Sequence, residues 1–333
     1  SDKEIQRALK KKKGSNLIYF GPGVHNLPND TLFVPSGTTV YIDGGARVYG
    51  NIFTEGAHDV NIFGRGEVHP DGRGAGVWVR RSKNVRIDGI VVSQLPIGQC
   101  DSVELTNVKS ISYYGWGDGM DVFSSSNVIL DGVFCRNSDD CAAVYASTQG
   151  FKGGSNNVLV KNATLWADVA HPINIGGHGD PNGMDTVQNV TFRNIDILDQ
   201  AEKQIDYQGC LAINPGDNTL VRNITFENIR IEDFRNGQLV NFRISFNPKY
   251  CVSTGRGIQN VLVKDVTYNG SGENLSIIAG YDENHKISGI RFVNLVVNGR
   301  KITDDMPGKP KWYKTGDMAG IFVGEHVENL SFE

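Results

Sequence analysis

A short phrase recurs along most of the chain, and it constrains the fold more than any other feature of the sequence. Each copy combines an Asn, a run of alternating apolar residues and a polar or Gly corner; copies begin at 59, 84, 107, 127, 157, 189, 223, 260, 289 and 329. Successive copies therefore lie 20 to 40 residues apart. One such unit cannot cover its own apolar face, whereas stacked units bury a continuous core. The repeat predicts a solenoid.

Apolar residues occupy alternate positions within each copy, as Val190 and Phe192 do in one copy and Ile224 and Phe226 do in the next. This period of two indicates short β-strands with one buried face. A β-propeller would need a steadier period of about forty residues or more. We therefore predict an all-β fold, a right-handed parallel β-helix of about nine or ten coils. The recurring Asn tolerates a left-handed backbone and can form a stacked amide ladder, so we interpret it as structural.

The remaining chain organisation is simple. Residues 1–14 carry a capping-box pattern at Ser1 and Glu4, and they predict a short N-terminal helix that caps the open end of the stack. No linker interrupts the repeats, so residues 1–333 are expected to form a single domain. Five cysteines are too few for a disulfide-built scaffold, and at least one has no partner within the chain.

Composition excludes several classes of function. The net charge of −4 gives no basic footprint, so a nucleic-acid partner is not expected. The longest apolar runs fall well short of the roughly eighteen residues that a membrane-spanning helix needs, so no membrane partner is expected. Forty glycines exceed the usual content of roughly 7% and suit a fold with many tight corners. Seven N-x-S/T sequons are present, but Asn-rich turns produce them by chance, so they are weak indicators of secretion.

Acidic residues concentrate between positions 114 and 180. Asp118 and Asp121 belong to one copy of the repeat, and Asp139 and Asp140 follow in the next, 21 residues after Asp118. Stacked coils lie about 4.8 Å apart, so carboxylates one coil apart can converge on one patch. Such close carboxylates raise the pKa of at least one member, and a protonated acid beside ionised carboxylates is what glycoside hydrolysis requires. Turn capping explains any one of these aspartates, but it explains the whole set poorly.

Three stretches of this segment resemble glycoside hydrolase family 28, the polygalacturonase family, whose relatives in the same clan include dextran-cleaving enzymes. They are GDGMDV at 117–122, NSDDCAAV at 137–144 and HPINIGGHGDPNGMDTVQNVTF at 171–192. The family shows N-T-D-G-x-D, then D-D-C, then G-H-G running into S-I-G-S. Here Trp116 and Gly117 stand where the family has Asn and Thr.

The resemblance implies an inverting glycoside hydrolase that cleaves a polysaccharide with three aspartates and no metal or other cofactor. By this resemblance, Asp139 protonates the leaving oxygen, while Asp118 and Asp140 activate a water. His171 matches the family's His and is expected to hold the acid's hydrogen-bond network. His178 lies in a literal G-H-G seven residues later and is the second choice, with a substrate-binding role.

Inversion requires room for a water between the acid and the base. The carboxyl groups are then roughly 6.5–9.5 Å apart, against about 5–5.5 Å in retaining enzymes. We therefore expect a water-filled gap in the inverting range between Asp139 and at least one of Asp118 and Asp140.

The chain departs from the family where the substrate's charge would be read. The family's R-I-K binds galacturonate carboxylates, but the corresponding stretch here, YQGCLAIN at 207–214, has no Arg or Lys. One coil later, Arg243 is followed by Ser245 in place of Lys. Without a paired cationic clamp, the substrate could be a neutral polysaccharide or a modified pectin instead of a polyuronic acid. Trp116 and Tyr207 are further candidates, as platforms that stack on sugars.

Two other functions remain open from the sequence. A β-helix polysaccharide lyase would need a basic residue beside a Ca²⁺ site, and no Lys or Arg flanks the acidic motifs. A non-catalytic glycan-binding or tailspike-like module would keep the coils without needing the acids. For the favoured hydrolase, we expect a secreted or periplasmic monomer whose partner is its polysaccharide or oligosaccharide substrate.

Overall fold

The computed structural model describes residues 16–272 and 274–333, so the helix predicted over residues 1–14 lies outside the described residues. Short β-strands dominate the described chain, with one turn of 3₁₀-helix at Ile205–Tyr207 and one α-helix, α1, at Thr315–Met318. The strands in chain order are β1 (Leu17–Phe20), β2 (Gly23–Phe33), β3 (Thr39–Ile42), β4 (Ala46–Glu55), β5 (His58–Gly64), β6 (Glu67–His69), β7 (Val77–Arg80), β8 (Lys83–Asp88), β9 (Val91–Val92), β10 (Ile97–Gly98), β11 (Asp101–Thr106), β12 (Lys109–Ile111), β13 (Val122–Phe123), β14 (Ser126–Asp131), β15 (Phe134–Asn137), β16 (Ala142–Tyr145), β17 (Ser155–Ala167), β18 (Ile173–Ile175), β19 (Thr186–Gln200), β20 (Leu211–Ile213), β21 (Leu220–Ile231), β22 (Val240–Arg243), β23 (Gly257–Tyr268), β24 (Ser276–Ala279), β25 (Ile287–Val297), β26 (Arg300–Ile302), β27 (Ile321–Val323) and β28 (Val327–Phe332).

The strands wind into a right-handed parallel β-helix with three faces, which confirms the predicted fold class. The first face runs β1–β3–β5–β8–β11–β14 and continues through the first halves of the long strands to β28. The second face contains β6, β9, β12 and β15, and the third contains β7, β10, β13, β16, β18, β20 and β22. Only β25 and β26 pair antiparallel among the described strands.

The first face holds twelve strand segments within the described residues, two or three more than the repeat phrase predicts. The difference arises at the start, where β1 and β3 form coils from LIYF and TVYI without the recurring Asn phrase. These strands pair in register and bury alternate apolar side chains, among them Phe20 and Val40, but they contain no Asn, so the phrase does not mark them.

The core lies inside the coil and repeats from layer to layer. Residues with the same place in successive coils stack directly, as the register pairs Val190 with Ile224 and Phe192 with Phe226. These four side chains are buried, and the two rings stack with their centroids 5.9 Å apart. Each coil therefore buries its apolar edge only against its neighbours, which explains why a period-two pattern suffices to specify the fold.

Two ladders of asparagines run along the outside of the helix at its corners. In the first ladder, Asn223 donates from Nδ2 to Oδ1 of Asn189 at 3.2 Å and accepts from Asn260 at 3.3 Å. In the second, Asn194 donates to Asn162 at 2.7 Å. All of these residues have positive φ, between 55° and 57°, so the corner needs a side chain that tolerates the left-handed region. Three sequon asparagines, at 162, 189 and 223, thus serve as ladder members, which supports the structural interpretation.

The substitution Asn223→Ala tests the ladder. We expect it to lower the free energy of unfolding by about 2 kcal/mol, because it places a Cβ-bearing apolar residue in the left-handed region and removes two side-chain hydrogen bonds. Asn223→Gly is the matched control, since it loses the same hydrogen bonds but keeps the backbone relaxed. Denaturant titration should show a smaller loss for the glycine variant; equal losses would mean that the left-handed corner contributes nothing.

The five cysteines are all unpaired, and four of them are buried. Among the described residues, no helix has the length and apolar character to span a bilayer.

Candidate active site

The aspartates converge where the second face of the β-helix turns into the third. Asp118 lies in the connection between β12 and β13, while Asp139 and Asp140 lie one coil later, between β15 and β16. The backbone N–H of Gly119 donates to the carbonyl of Asp140 at 2.7 Å, so the two connections are bonded side by side. Asn137 is buried and donates from Nδ2 to the carbonyl oxygen of Asp118 at 3.1 Å. The two loops are therefore fixed to each other at the acids.

Asp139 and Asp140 serve one site because they occupy a connection and not a strand. Strand alternation would direct their side chains to opposite faces. Instead, β15 ends at Asn137, and the Asp139 carboxylate turns back to accept the N–H of Asp140 at 3.1 Å.

The carboxylate cluster is tighter than the sequence predicts. One oxygen from each of Asp118, Asp139 and Asp140 lies within 4.8 Å of the other two. The expected gap of roughly 6.5–9.5 Å is therefore not seen between these nearest oxygens. The reason is the backbone contact between neighbouring coils, which sets the acids about one strand spacing apart. The distance between these carboxylates therefore does not by itself decide whether the reaction inverts or retains the anomeric configuration.

Asp140 is the most enclosed of the three. Only 1% of its surface is exposed, and its Oδ2 accepts from the Tyr145 hydroxyl at 2.5 Å and from Asn174 Nδ2 at 2.9 Å. Its Oδ1 accepts the His171 backbone N–H at 3.1 Å and lies 2.8 Å from His171 Nδ1. The Tyr207 hydroxyl is a further donor to Oδ2 at 3.4 Å. Although burial opposes ionisation, His171 and these donors lower the pKa of Asp140, which makes it a fixed negative charge.

The other acids are affected in the opposite direction. Burial and the negative charge of Asp140 raise the pKa of Asp139 to about 7. The pKa of Asp118 is also raised, first by burial and then by the charges of Asp139 and Asp140. Both side chains are half-buried, so each retains access to solvent and to a ligand. The cluster thus combines an ionised carboxylate with protonatable neighbours, as acid–base chemistry requires.

Three further residues belong to the site: sequence reasoning placed Asp121 in the acidic segment without giving it a role, and it missed Tyr145 and Asn174. Asp121 is 4% exposed, its Oδ1 has no hydrogen-bond partner, and burial among the other acids raises its pKa. Tyr145 and Asn174 supply the donors to Asp140 described above. All three are at outward-facing positions on or beside strands of the third face: Asp121 directly precedes β13, Tyr145 ends β16 and Asn174 is central in β18. A polar side chain at an outward-facing strand position was the signal by which the sequence could have indicated these residues.

The two candidate histidines have different places. His171 is fully buried against Asp140, as its predicted role in the acid network would need, and its ring meets that of Tyr207 edge-on at 4.3 Å. His178 lies further along the chain, edge-on to Tyr145 at 5.1 Å, and lines a small pocket of about 40 Å³ beside the cluster. Burial lowers the pKa of His178, so it is neutral in that pocket.

Of the remaining candidates, only Tyr207 has a hydrogen bond to an acid of the cluster among the described contacts, through its hydroxyl to Asp140. Tyr207 lines the small pocket and stacks on Tyr250 with centroids 4.7 Å apart. Trp116 is 68% exposed on the loop that carries Asp118. Arg243 ends β22, where its carbonyl accepts from Asn214 at 3.3 Å, and it is not among the residues that line the small pocket. The structure therefore brings together Asp118, Asp139, Asp140, His171 and Tyr207.

The three aspartates are also the set of oxygen ligands, among the described residues, that could approach a cation. Both oxygens of Asp140 are already engaged by protein donors, however, and Asp139 has a raised pKa. These features fit proton transfer better than cation binding.

The chain was compared with known proteins. Residues 75–305, which include every acid of the cluster, match the sequence profile of glycosyl hydrolases family 28. A polygalacturonase of Juniperus ashei is 26% identical over 216 residues, covering 62% of this chain and 39% of that protein. A probable endo-xylogalacturonan hydrolase A of Neosartorya fischeri is 29% identical over 164 residues, covering 49% of this chain and 38% of that protein.

The fold likeness extends over the whole chain. The family 28 exopolygalacturonase of Yersinia enterocolitica superposes with a TM-score of 0.70 at 14% identity, covering 98% of this chain and 74% of that one. The chain spans about half the length of the first relatives that it matches in sequence. Since the matched profile spans more than half of the chain, the protein is a member of glycosyl hydrolases family 28.

Proposed function

We propose that the protein hydrolyses a pectin-type polysaccharide, with Asp139 as the general acid. The observation that carries this assignment is the pKa of Asp139, about 7, on a half-buried carboxyl beside an ionised one. Such an acid keeps its proton near neutral pH and can still release it to the leaving oxygen of a glycosidic bond.

Asp118 and Asp140 have unequal shares in water activation in this proposal. Asp140 has donors on both oxygens and is almost fully buried, so it acts as a fixed charge that orients the water and maintains the pKa of Asp139. Asp118 is half-buried, and in its ionised form it takes the water's proton; its raised pKa makes that carboxylate the stronger base. His171 is a positioning residue, because its contact is with Asp140 and not with the solvent-facing acids. Retention through Asp140 is disfavoured, since its engaged oxygens are not free to attack the sugar.

The substrate unit that lies over the small pocket beside the cluster is uncharged in our proposal. No Lys or Arg lines this pocket as described; its polar members include Asn214, Asn247, Asp206 and a neutral His178. A galacturonate carboxylate would face Asp206 and the fixed charge of Asp140 without a cationic partner. A methyl-esterified or otherwise neutral sugar avoids this repulsion.

Polymers of matched length test this preference. We expect kcat/KM for highly methyl-esterified pectin to exceed that for fully de-esterified homogalacturonan by at least about tenfold, which corresponds to 1.4 kcal/mol of transition-state binding. Asp206→Asn should narrow the ratio, because it removes one repulsive charge from the pocket. Reducing-end release is the measurement. Equal rates on the two polymers would refute an uncharged subsite while leaving hydrolysis itself intact.

Hydrolysis and lyase chemistry are separated by metal removal. A β-helix lyase needs Ca²⁺ and a base, whereas the described contacts of Asp118, Asp139 and Asp140 include no Lys or Arg. We expect full activity after treatment with a chelator and no ultraviolet absorbance from unsaturated products. Loss of activity that Ca²⁺ restores would favour the lyase.

We also propose that the protein acts as a secreted or periplasmic monomer. A polysaccharide substrate outside the cell supports the location, and an enzyme site built from neighbouring coils of one chain supports the monomer.

A further inference from the structure

A second cavity lies outside the acid cluster, on the outer side of the second face. It measures about 460 Å³. Its floor comes from β4, β6, β9 and β12, where Tyr49 and His69 are register partners and Ile111 lies two coils further on. Its wall is formed by Tyr113 and Tyr114, which begin the connection that carries Asp118. We propose that this cavity is a second saccharide-binding site, distinct from the acid cluster, which holds a neighbouring stretch of the polysaccharide; the inference rests on the proposed function.

The aromatic groups of the cavity are suited to a sugar face. Tyr113 is 87% exposed, the most exposed large hydrophobic side chain of the described residues, and it meets the Tyr114 ring edge-on at 5.4 Å. Tyr114 cannot move away, because its hydroxyl donates to the Gly74 carbonyl at 2.7 Å and accepts the Gly74 N–H at 3.1 Å. The fixed Tyr114 ring thus supports the exposed Tyr113 ring, so a sugar can stack there with little loss of side-chain conformational entropy.

Polar groups at the other end of the cavity can pair with hydroxyls. Arg47 donates from Nε to Glu67 at 2.8 Å, and both groups keep exposed surface and unused hydrogen-bonding capacity. Burial lowers the pKa of His69, so the imidazole is neutral and offers both a donor and an acceptor. With Arg47 balanced by Glu67 and with Asp71 nearby, the cavity carries no excess positive charge. This balance suits neutral sugar hydroxyls better than phosphate or uronate groups.

The location connects the cavity to the acid cluster. Its floor begins four coils before β15 and ends in the coil of β12, whose following connection supplies Asp118. Four parallel strands cover roughly 14 Å at a spacing of about 4.8 Å, so several sugar units fit along the floor. A polysaccharide held there and at the acids gains affinity by bivalent attachment, whereas a short oligosaccharide reaches only one of the two sites.

The test measures binding without catalysis. In the Asp139→Asn background, we expect highly methyl-esterified pectin embedded in a native gel to retard the protein. Adding Tyr113→Ala should weaken the apparent affinity at least about fivefold, because it removes the aromatic ring on which the sugar stacks. Arg47→Gln should change the affinity in the same direction. Tyr313→Ala is the matched control, because Tyr313 is also exposed but lies near the other end of the solenoid.

Kinetics with the active protein complete the test. Tyr113→Ala should raise KM for the polymer and leave kcat/KM for a pectic trisaccharide within about twofold, a difference that bivalent attachment predicts. Retardation that is absent from the start, or unchanged by Tyr113→Ala, overturns the second site. An equal loss of kcat/KM on the trisaccharide and on the polymer also overturns the second site, because Tyr113 would then belong to the subsites of the acid cluster. If no glycan is hydrolysed but retardation responds to Tyr113, the proposed function fails and the binding site stands.

Discussion

Replacing Asp139 by Asn should lower kcat by about 10²- to 10⁴-fold, which is the usual contribution of a positioned general acid. The fold should be intact, because Asp139 is half-buried and accepts a hydrogen bond from the backbone N–H of Asp140. The side-chain oxygen of Asn can still accept that bond. Reducing-sugar release and thermal melting measure the two effects. Asp282→Asn, on an outer loop where the carboxylate pairs with His285, is the control. A variant that keeps a tenth of the activity would remove Asp139 from the acid role.

The pH dependence of kcat/KM should also identify Asp139 as the general acid. Because the pKa of Asp139 is raised to about 7, the acid is protonated below that pH, and kcat/KM should fall as pH rises through about 7. Glu202 is buried, and its negative charge contributes to the raised pKa. Glu202→Gln removes that charge, so the alkaline limb should move to lower pH. If the alkaline limb of the Glu202→Gln profile lay at the same pH as in the wild type, the limb would report the titration of a group other than Asp139.

Replacing Asp140 by Ala should abolish turnover and also destabilise the protein by about 3–5 kcal/mol, the usual cost of removing one partner from a buried charged pair. The reason is the set of donors from His171, Tyr145 and Asn174, all of which lose their acceptor in the interior. The same change at Asp139 leaves only the backbone N–H of Asp140 without its acceptor. Denaturant titration at pH 7 therefore separates the two adjacent aspartates by their effect on stability.

The stabilising effect of Asp140 should depend on pH. Its pKa is lowered in the folded protein, so its contribution is present above the ordinary Asp value of about 3.9 and is lost as pH falls below it. The wild-type advantage over Asp140→Asn should accordingly shrink in acid. A constant difference between pH 3 and pH 7 would contradict an ionised Asp140.

Most of the fold was predictable because a solenoid makes only neighbour contacts. Alternation in one copy, such as Val190 and Phe192, is enough to assign the buried face when the next coil repeats it. The convergence of Asp118 with Asp139 follows from the same rule. The coils of β1 and β3 bury alternate side chains such as Phe20 and Val40 in the same way, but they lack the Asn phrase by which the coils were counted.

The finer structure of the site depends on register, which the sequence does not display. Tyr145 and Asn174 reach Asp140 only because β16 and β18 align Ala143 with Asn174. The separation of the carboxylates likewise depends on the bond between Gly119 and Asp140. The small pocket arises where two long connections meet, at Tyr207 and Tyr250, and connections carry no periodic signal.

The asparagine ladders also have a direction. Each amide donates toward the coil before it. The second ladder ends on a carboxylate that can only accept, Asp131, which accepts from Asn162. A separate short run from Asn157 through Asn127 ends in the same way on Asp101, whereas the first ladder ends at Asn156. An interior coil must therefore both give and receive a hydrogen bond, while the coil at the beginning of a ladder need only receive one. Coils added by duplication between Asn162 and Asn260 would extend the ladders without a break only if each brought its own corner amides. The ladders thus distinguish coils that can be duplicated with their corner bonds intact from coils that cannot.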